Sequence, residues 1–480
     1  MDDSDDLDAR QMRPSRRAVA TGIGGGALAP GGLVEARERH AARTPPVWPG
    51  DVLATPEQES IEWRAVEIWN LLGVQAARRA LEPLFLNTPS GRRPAGQATW
   101  RSARDQIMFG FIQRAVAESD PQTPLLLADC VPAHNWFGFN VPCSFGTGNN
   151  PDNVYRRIGV HAEARYEIRG RQFAPGPGDM TLEVNPDGGG AGPKQVEWDR
   201  LGSVVFSFAD LRADRDGSFL ITVDGDPANG RPNHLRLRPG AARMSLRDTL
   251  SDWASENPVY FEVKRVDAYA PRPKSTAEIA DQVVAELPGF VSFWNGFTET
   301  VFFGRRPNTA QPPKRGVEVT GLGTKLTTRG NYDLAEDEAL VIHADRMGAS
   351  YMCLALQNCW LQTEEFRSRN GSLNNTQAVP NADGSYTYVV SAQDPGVHNW
   401  GDTSGHLQGT MQIRWQGFPA GARALSDENV RITKVKLAEL PSVLPQDTRT
   451  ISPTERARQL ASRTAAFDRR YPKNIAPAAQ

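Results

Sequence analysis

The chain has 480 residues, 39% of them hydrophobic and 23% charged, with 54 Lys and Arg against 56 Asp and Glu and a formal net charge of -2. That length exceeds a single small core and predicts two or three domains, with the ordinary composition of a soluble globular protein. The near-neutral balance and the lack of a basic block exclude a nucleic-acid footprint.

The first 48 residues read as a leader. Ser15-Arg16-Arg17 precedes a weakly apolar, Gly/Ala-rich run and resembles a twin-arginine export signal. The stretch from Ala18 to Ala36 is too rich in Gly and too weakly apolar for a transmembrane anchor. An acidic head and Pro30 directly after the small-x-small site Ala27-Leu28-Ala29 argue against export and leave open a plain N-terminal arm. The expected location is periplasmic or extracellular if the leader is used, and cytoplasmic otherwise. The string from Gly22 to Ala27 fits GxGxxA, but it has no strand before it and Pro30 after it, so it is no dinucleotide fingerprint.

Residues 50–122 read as a helical segment. Thr55-Pro56-Glu57-Gln58 is a capping box with Pro at the first helical position. Trp63, Val66, Trp69 and Leu72 then recur at near-helical spacing, and a second helix is expected over 101–120. From 125 to 270 the texture changes to short β-prone runs cut by turn residues, among them ARYEIRG, SVVFSFAD, SFLITVDG and VYFEVKRVD. Frequent turns at this spacing predict an antiparallel sandwich or barrel rather than βαβ units. Asp252-Trp253, with Arg247 one turn earlier, suggests a short helix whose Trp packs inward while Asp and Arg pair outside.

Residues 271–315 hold another capped helix, opening at Ser275-Thr276-Ala277-Glu278, and a linker. A second β-rich block is expected over 316–445, with strands in GVEVTGLG, EALVIHAD, YMCLALQN, YTYVVSAQ and MQIRWQG. A helical tail over 446–480 opens at Ser452-Pro453-Thr454-Glu455. The fold class is thus mainly β within an α+β chain: antiparallel, sandwich-like blocks behind a helical N-terminal segment.

The chemistry-bearing motifs are few. There is no GxSxG, HExxH, P-loop or complete EF-hand loop. Cys353 and Cys359 on one strand would lie roughly 20 Å apart at about 3.3 Å per residue, too far to pair. Cys130 and Cys143 could pair across a loop. No CxxC or zinc-type spacing occurs, so no metal or cofactor is assigned.

The densest polar cluster is QDPGVHNWGDTSGHLQG, holding Asp394, His398, Asn399, Trp400, Asp402, Thr403 and His406. Asp402 and His406 are the candidate acid–base pair. The competing reading is a loop folded on itself, with the aspartates capping turns and Trp400 plugging the core edge. Ahead of it, LQNCWLQTEEFRSRNGSLNNTQ places Asn358, Trp360, Glu364, Glu365, Arg367, Arg369, Asn374 and Asn375 in an unusually polar connection. Amides and an indole face suit a polar ligand such as a sugar, so Arg367, Asn374, Asn399, Trp400, Asn358 and Trp360 are the candidate binding residues. The alternative there is a solvated hairpin loop.

Asn150-Pro151-Asp152-Asn153-Val154-Tyr155, the stretch Asn233–Ala241, then Arg247, Asp252, Trp253, Glu256 and Pro258 follow one another in a distinctive order. Asn358 and Trp360, Ser372–Gln377, Ala382–Gly384 and Asp394–Trp415 continue it. This pattern, over roughly 145–270 and 335–420, resembles a family known only as domain of unknown function 1214. The resemblance implies a jelly-roll-like antiparallel fold and no activity, and therefore no catalytic residues. It also bears on the tripeptide HNW, which occurs at His134 and again at His398. Asn399 and Trp400 belong to the pattern, His398 falls at a free position, and the first copy lies outside it. The repeat reads as coincidence, and His406 as the better site residue.

Three functional classes remain. A binding module would line a groove with the 358–377 and 394–406 loops. An enzyme, a hydrolase or lyase of a carbohydrate or small carboxylate, would use Asp402 and His406 as acid and base and Arg367 to hold an anionic group. A structural or assembly protein would bury those loops and carry no catalytic site. The first two share one expectation, a small polar ligand bound or processed; oligomeric state is left open.

Overall fold

The computed structural model describes residues 52–186, 204–207, 210–268, 272–315, 325–418 and 429–472. The leader and the expected GVEVTGLG strand lie outside them.

Helix α1 (Pro56–Trp69) opens where Thr55 sits in extended backbone and its hydroxyl accepts the Gln58 amide at 3.2 Å. Its buried face is Ile61, Ala65 and Ile68 with Gln58 and Glu62. Trp63 is 54% exposed and meets Phe139 edge-on. Of the expected Trp63–Leu72 series, Val66 and Trp69 pack partly buried against the core between the helices, whereas Trp63 does not. The helix stops at Asn70 and the chain re-enters as α2 (Leu72–Ala80), which leaves Leu72 exposed. Helix α3 (Glu82–Leu86) follows, and α4 (Pro94–Ala117) opens at Pro94, ahead of the expected start. Met108, Phe109 and Ile112 of α4 have no exposed surface and join Ile61, Phe85, Val283 and Leu287 in the helical core.

Strands β1 (Leu127–Asp129), β2 (Asn153–Gly159), β3 (Tyr166–Arg171), β4 (Asp179–Pro186), β5 (Val204–Ser207), β6 (Ser218–Asp224), β7 (His234–Arg236), β8 (Ala241–Thr249) and β9 (Tyr260–Arg265) form the first block. Two open sheets, β1-β2-β8-β4-β5 and β7-β6-β3-β9, face each other across a core that includes Ile158, Leu182, Met244, Ile168, Ile221 and Val263. Along β2 buried and half-buried positions alternate, as a strand with one face on a core requires. Trp253 is buried as expected, but it sits in a turn rather than a helix. Arg247 lies on β8 and pairs with Glu183 at 2.9 Å, while Asp252 accepts from Ala254 and Ser255.

Helix α5 (Thr276–Thr298) carries the complete Ser275–Glu278 capping box and packs its Val283, Leu287 and Phe290 into the helical core. The second block comprises β10 (Thr309–Ala310), β11 (Lys314–Arg315), β12 (Leu326–Asp333), β13 (Glu338–Ala344), β14 (Tyr351–Gln357), β15 (Ser372–Asn374), β16 (Tyr386–Ser391), β17 (Trp400–Asp402), β18 (Gln408–Gln416) and β19 (Val430–Lys436). One sheet runs β10-β12-β18-β14-β15, with β11 paired to β12, and the other β17-β16-β13-β19. Leu340, Ile342, Leu354, Leu356, Ile413 and Trp415 lie in the core between them.

Strand β14 is buried at every position. Met352, Leu354 and Leu356 face the sandwich core, whereas Tyr351, Cys353 and Ala355 form a separate cluster on the opposite face. Its continuous apolar reading follows from being covered on both sides. Cys359 lies past the end of the strand, so it does not share the strand geometry expected for it. All four cysteines are free thiols.

After the short α6 (Leu440–Val443), helix α7 (Pro453–Asp468) opens with a complete Ser452–Glu455 capping box. Phe467 packs on Trp253 of the first block and Phe366 of the second. The guanidinium groups of Arg463 and Arg470 lie 4.4 and 4.6 Å from the Trp253 ring centre. The molecule is a mixed α+β protein with open sandwich-like β blocks, and among the described residues no helix is long and apolar enough to cross a membrane.

Candidate functional site

Asn150, Asp152, Trp253 and Asn374 of the family-like pattern come together where the two blocks meet. Asp152, with no exposed surface, accepts the Trp253 indole N–H at 2.7 Å, the Asn374 amide at 2.9 Å and the Tyr351 hydroxyl at 2.5 Å. The Asn150 amide donates to the same Tyr351 oxygen at 2.7 Å. From α7, Arg463 donates to the Phe366 carbonyl at 2.6 Å and the Ser372 hydroxyl at 2.9 Å. A buried carboxylate with three donors is a well-satisfied polar anchor. It holds two stretches far apart in sequence and leaves no face for a ligand.

The chemically capable group lies at the edge of the second block. β17 ends at Asp402, and a turn through Ser404 (φ 55°) and Gly405 (φ 82°) carries the chain back to His406 before β18. The 358–377 and 394–406 loops meet there: Asp402 donates its amide to the Asn370 carbonyl at 3.0 Å, and the Ser404 hydroxyl accepts the Glu365 amide at 3.2 Å. His406 does not pair with Asp402. Its Nδ1 lies 2.9 Å from both carboxylate oxygens of Glu364, which the Tyr332 hydroxyl approaches at 3.4 Å. Gly409 permits that approach, since a Cβ there would sit 2.4 Å from the Tyr332 oxygen. Asp402 instead accepts from Arg369 at 2.8 Å and from the Ser404 amide at 2.8 Å.

Burial differs sharply across this group. The side chains of Glu364 and Asp402 are 3% and 2% exposed, those of His406 and Arg369 23% and 42%. Burial pushes the Asp402 carboxyl up against the opposing pull of Arg369. The Tyr332 hydroxyl is raised well above its ordinary range, by burial first and then by the Glu364 charge. The Glu364 carboxylate holds His406 above the usual imidazole value, against the effect of burial. A carboxylate that fixes one ring nitrogen and leaves the other toward solvent is the geometry of a general acid–base histidine.

Two other histidines show the contrast. His134 is buried with both nitrogens engaged, Nδ1 by the Pro132 carbonyl at 2.7 Å and Nε2 by Glu62 at 3.0 Å, and its ring stacks on Trp136 at 3.7 Å. His398 has Nδ1 3.2 Å from the Asn399 amide oxygen and Nε2 3.3 Å from the Gln459 amide, and burial depresses its pKa. The two HNW copies share letters and no role.

The remaining candidate binding residues serve the fold and are not gathered into one groove. Arg367 forms a two-pronged pair with Asp468 of α7, at 2.6 and 2.7 Å. Asn374 belongs to the Asp152 anchor. Asn399 donates to the Val379 and Thr387 carbonyls, and Trp400 to the Ser391 carbonyl beneath Arg456. Asn358 caps the turn at Trp360 and Gln362, and Trp360 is buried against Phe85 with its indole donating to the Gly96 carbonyl. Glu364 was visible only as one polar residue of an unusually polar loop. Tyr332 carries no local signal, because nothing around it marks a strand tyrosine as facing a carboxylate 32 residues away. Among the described residues, no three His, Cys, Asp or Glu side chains gather to hold a metal ion.

No family model matches the chain, and no curated protein matches it. Among solved structures it is similar to an uncharacterised protein of Burkholderia cenocepacia at 23% identity and a TM-score of 0.62, over 82% of this chain and 100% of that one. A protein of Vibrio parahaemolyticus aligns at 10% identity and a TM-score of 0.37, over 69% and 98%. The first likeness shows the fold alone.

Proposed function

We propose that the protein binds and processes a polar organic ligand, a carbohydrate or small carboxylate, by acid–base chemistry centred on His406. One observation carries the reading: Glu364, buried, holds Nδ1 of a partly exposed His406 at 2.9 Å, and among the described residues no hydrogen bond engages Nε2. In that arrangement Nε2 takes or gives the proton, Glu364 fixes the tautomer and steadies the imidazolium, and Tyr332 steadies Glu364. Asp402 is a positioning residue that aims the half-exposed side chain of Arg369, which takes the place assigned to Arg367 in holding an anionic group. A hydrolase or lyase is the reaction class that fits. The residue pattern supports membership of the domain of unknown function 1214 family, and use of the leader would place the activity outside the cytoplasm.

The structural reading has its own support, since Arg367, Asn374, Asn399, Trp400, Asn358 and Trp360 all have internal partners. The test is ligand-induced thermal stabilisation across a panel of hexoses, uronic acids and hydroxycarboxylates, on the wild type, His406→Gln and Glu364→Gln. Stabilisation by one class that both variants lose, with circular dichroism unchanged, supports the site. No stabilisation in the wild type, together with a lower melting temperature in both variants, supports the structural reading.

A further inference from the structure

A second feature has no part in that chemistry. Helices α4 and α5 and the ends of β2 and β8 enclose an open cleft of about 940 Å³, near the upper end of the size that takes small organic ligands. Its inner wall is apolar: Phe111 and Phe290 lie 5.2 Å apart between ring centres at 57°, flanked by Ala115, Val160 and Ala241.

The charges of the cleft divide by depth. Inside, Arg243 is paired with Glu118. Arg114 is not matched in this way. Among the described residues its hydrogen bond goes from Nε to the Gly110 carbonyl at 3.1 Å, and its guanidinium lies 5.1 Å from the Phe290 ring centre. Asp129, the acid that acts on it electrostatically, is already bound by Arg157. Burial depresses the Arg114 pKa, while the half-buried side chain stays reachable from the cleft that it lines. The outer acids Glu163, Glu278 and Glu286 are exposed on the rim, where water screens them, and Glu278 is bonded to Arg272 at 2.8 Å. Lys274, exposed on the same rim, donates to Gln282 at 2.8 Å, so among the described residues Arg114 is the cation that lies against the aromatic wall without an acid of its own.

We infer that this cleft binds a small carboxylate with an apolar body, its anionic end on Arg114 and its ring or chain against Phe111 and Phe290. The site is independent of His406. Gly289 of α5 offers a clean block, because it lines the cleft and a Cβ built there meets nothing within 4 Å. Replacing a helix-interior glycine also favours the helix.

The test is isothermal titration with phenylacetate and its neutral analogue phenylacetamide on the wild type, Gly289→Trp, Arg114→Gln and His406→Gln. The expected result is binding of the acid at least tenfold tighter than the amide, abolished by Gly289→Trp with the melting temperature held. Arg114→Gln should erase the preference for the acid, and His406→Gln should leave binding unchanged. No binding of the acid at millimolar concentration, equal binding of acid and amide, or binding that survives Gly289→Trp overturns the inference. The Gly289 variant decides the matter even if Arg114→Gln fails to fold.

Discussion

Tyr351 on β14 of the second β block donates its hydroxyl hydrogen to Asp152 of the first at 2.5 Å, beside the Asn374 amide from neighbouring β15. Removing the acceptor also strands Trp253 Nε1 and leaves the Asn374 amide only the Ser251 carbonyl. Each buried donor left unpaired costs about 1–3 kcal/mol, so Asp152→Ala should destabilise by roughly 3 kcal/mol or more, and Asp152→Asn, which keeps one carbonyl acceptor, by less. Urea unfolding checks this. A loss below about 1 kcal/mol would show that the blocks do not depend on this anchor.

The His406–Glu364 pair makes stability depend on pH in a defined direction. His406 is raised above its ordinary value of 6.5 by the Glu364 carboxylate. Its contribution is therefore fully present below 6.5 and is lost as pH rises through the folded-state value. The stability difference between wild type and His406→Gln should shrink as pH climbs above 6.5. A difference constant from pH 6 to pH 9 contradicts the pairing.

Lys325 behaves in the opposite sense. It is 6% exposed, and burial, aided by Arg247 and Arg414, lowers its pKa from 10.5 to about 8. Between those values the unfolded chain binds the extra proton, so the penalty is complete below pH 8 and fades as pH rises toward 10.5. Lys325→Met should be the more stable protein at pH 7, with the gap to wild type narrowing by on the order of 3 kcal/mol toward pH 10.5. The comparison must be differential, because thiols with raised pKa values oppose the trend over the same range. A gap that does not narrow disproves the assignment.

The cysteines should be inert in the folded protein. Burial pushes Cys130, Cys143 and Cys359 to about 12 and Cys353 well above 9. At pH 8 that leaves roughly a thousandfold less thiolate than an ordinary cysteine. Reaction with 5,5′-dithiobis(2-nitrobenzoate) should titrate four thiols in guanidinium and none quickly in buffer. A native thiol reacting at the denatured rate would overturn this.

Much of the fold could be read locally. Ser275 and Ser452 open their helices with Glu three residues on, because a capping box satisfies two amides within four residues of chain. The alternation along β2 likewise follows from a neighbour on one face. Long-range partners were not legible in the same way. Asp402 and His406 lie close in sequence and invite pairing, but the turn at Ser404 and Gly405 sends them to different partners, Arg369 and Glu364. The spacing of Trp63, Val66, Trp69 and Leu72 marks a helix but not its inward face, which carries Gln58 and Glu62, whose polar groups find each other at 2.5 Å. The cleft beside Arg114 left no trace in any one segment, since its walls come from two helices and two strand ends.

Helix α7 bears on the order in which this protein can be made. Arg463, Phe467 and Arg470 lie late in the chain, yet they complete the packing around Trp253 between the two blocks. During translation each sandwich can collapse once its own strands have left the ribosome, because domains fold as units. The Tyr351 and Asn374 bonds to Asp152 can already join them, and α7 then seals the junction. Before α7 packs, Trp253 and Phe366 lack the Phe467 ring between them, so the nascent chain passes through an interval in which the aromatic seam of its two blocks stays open on one side.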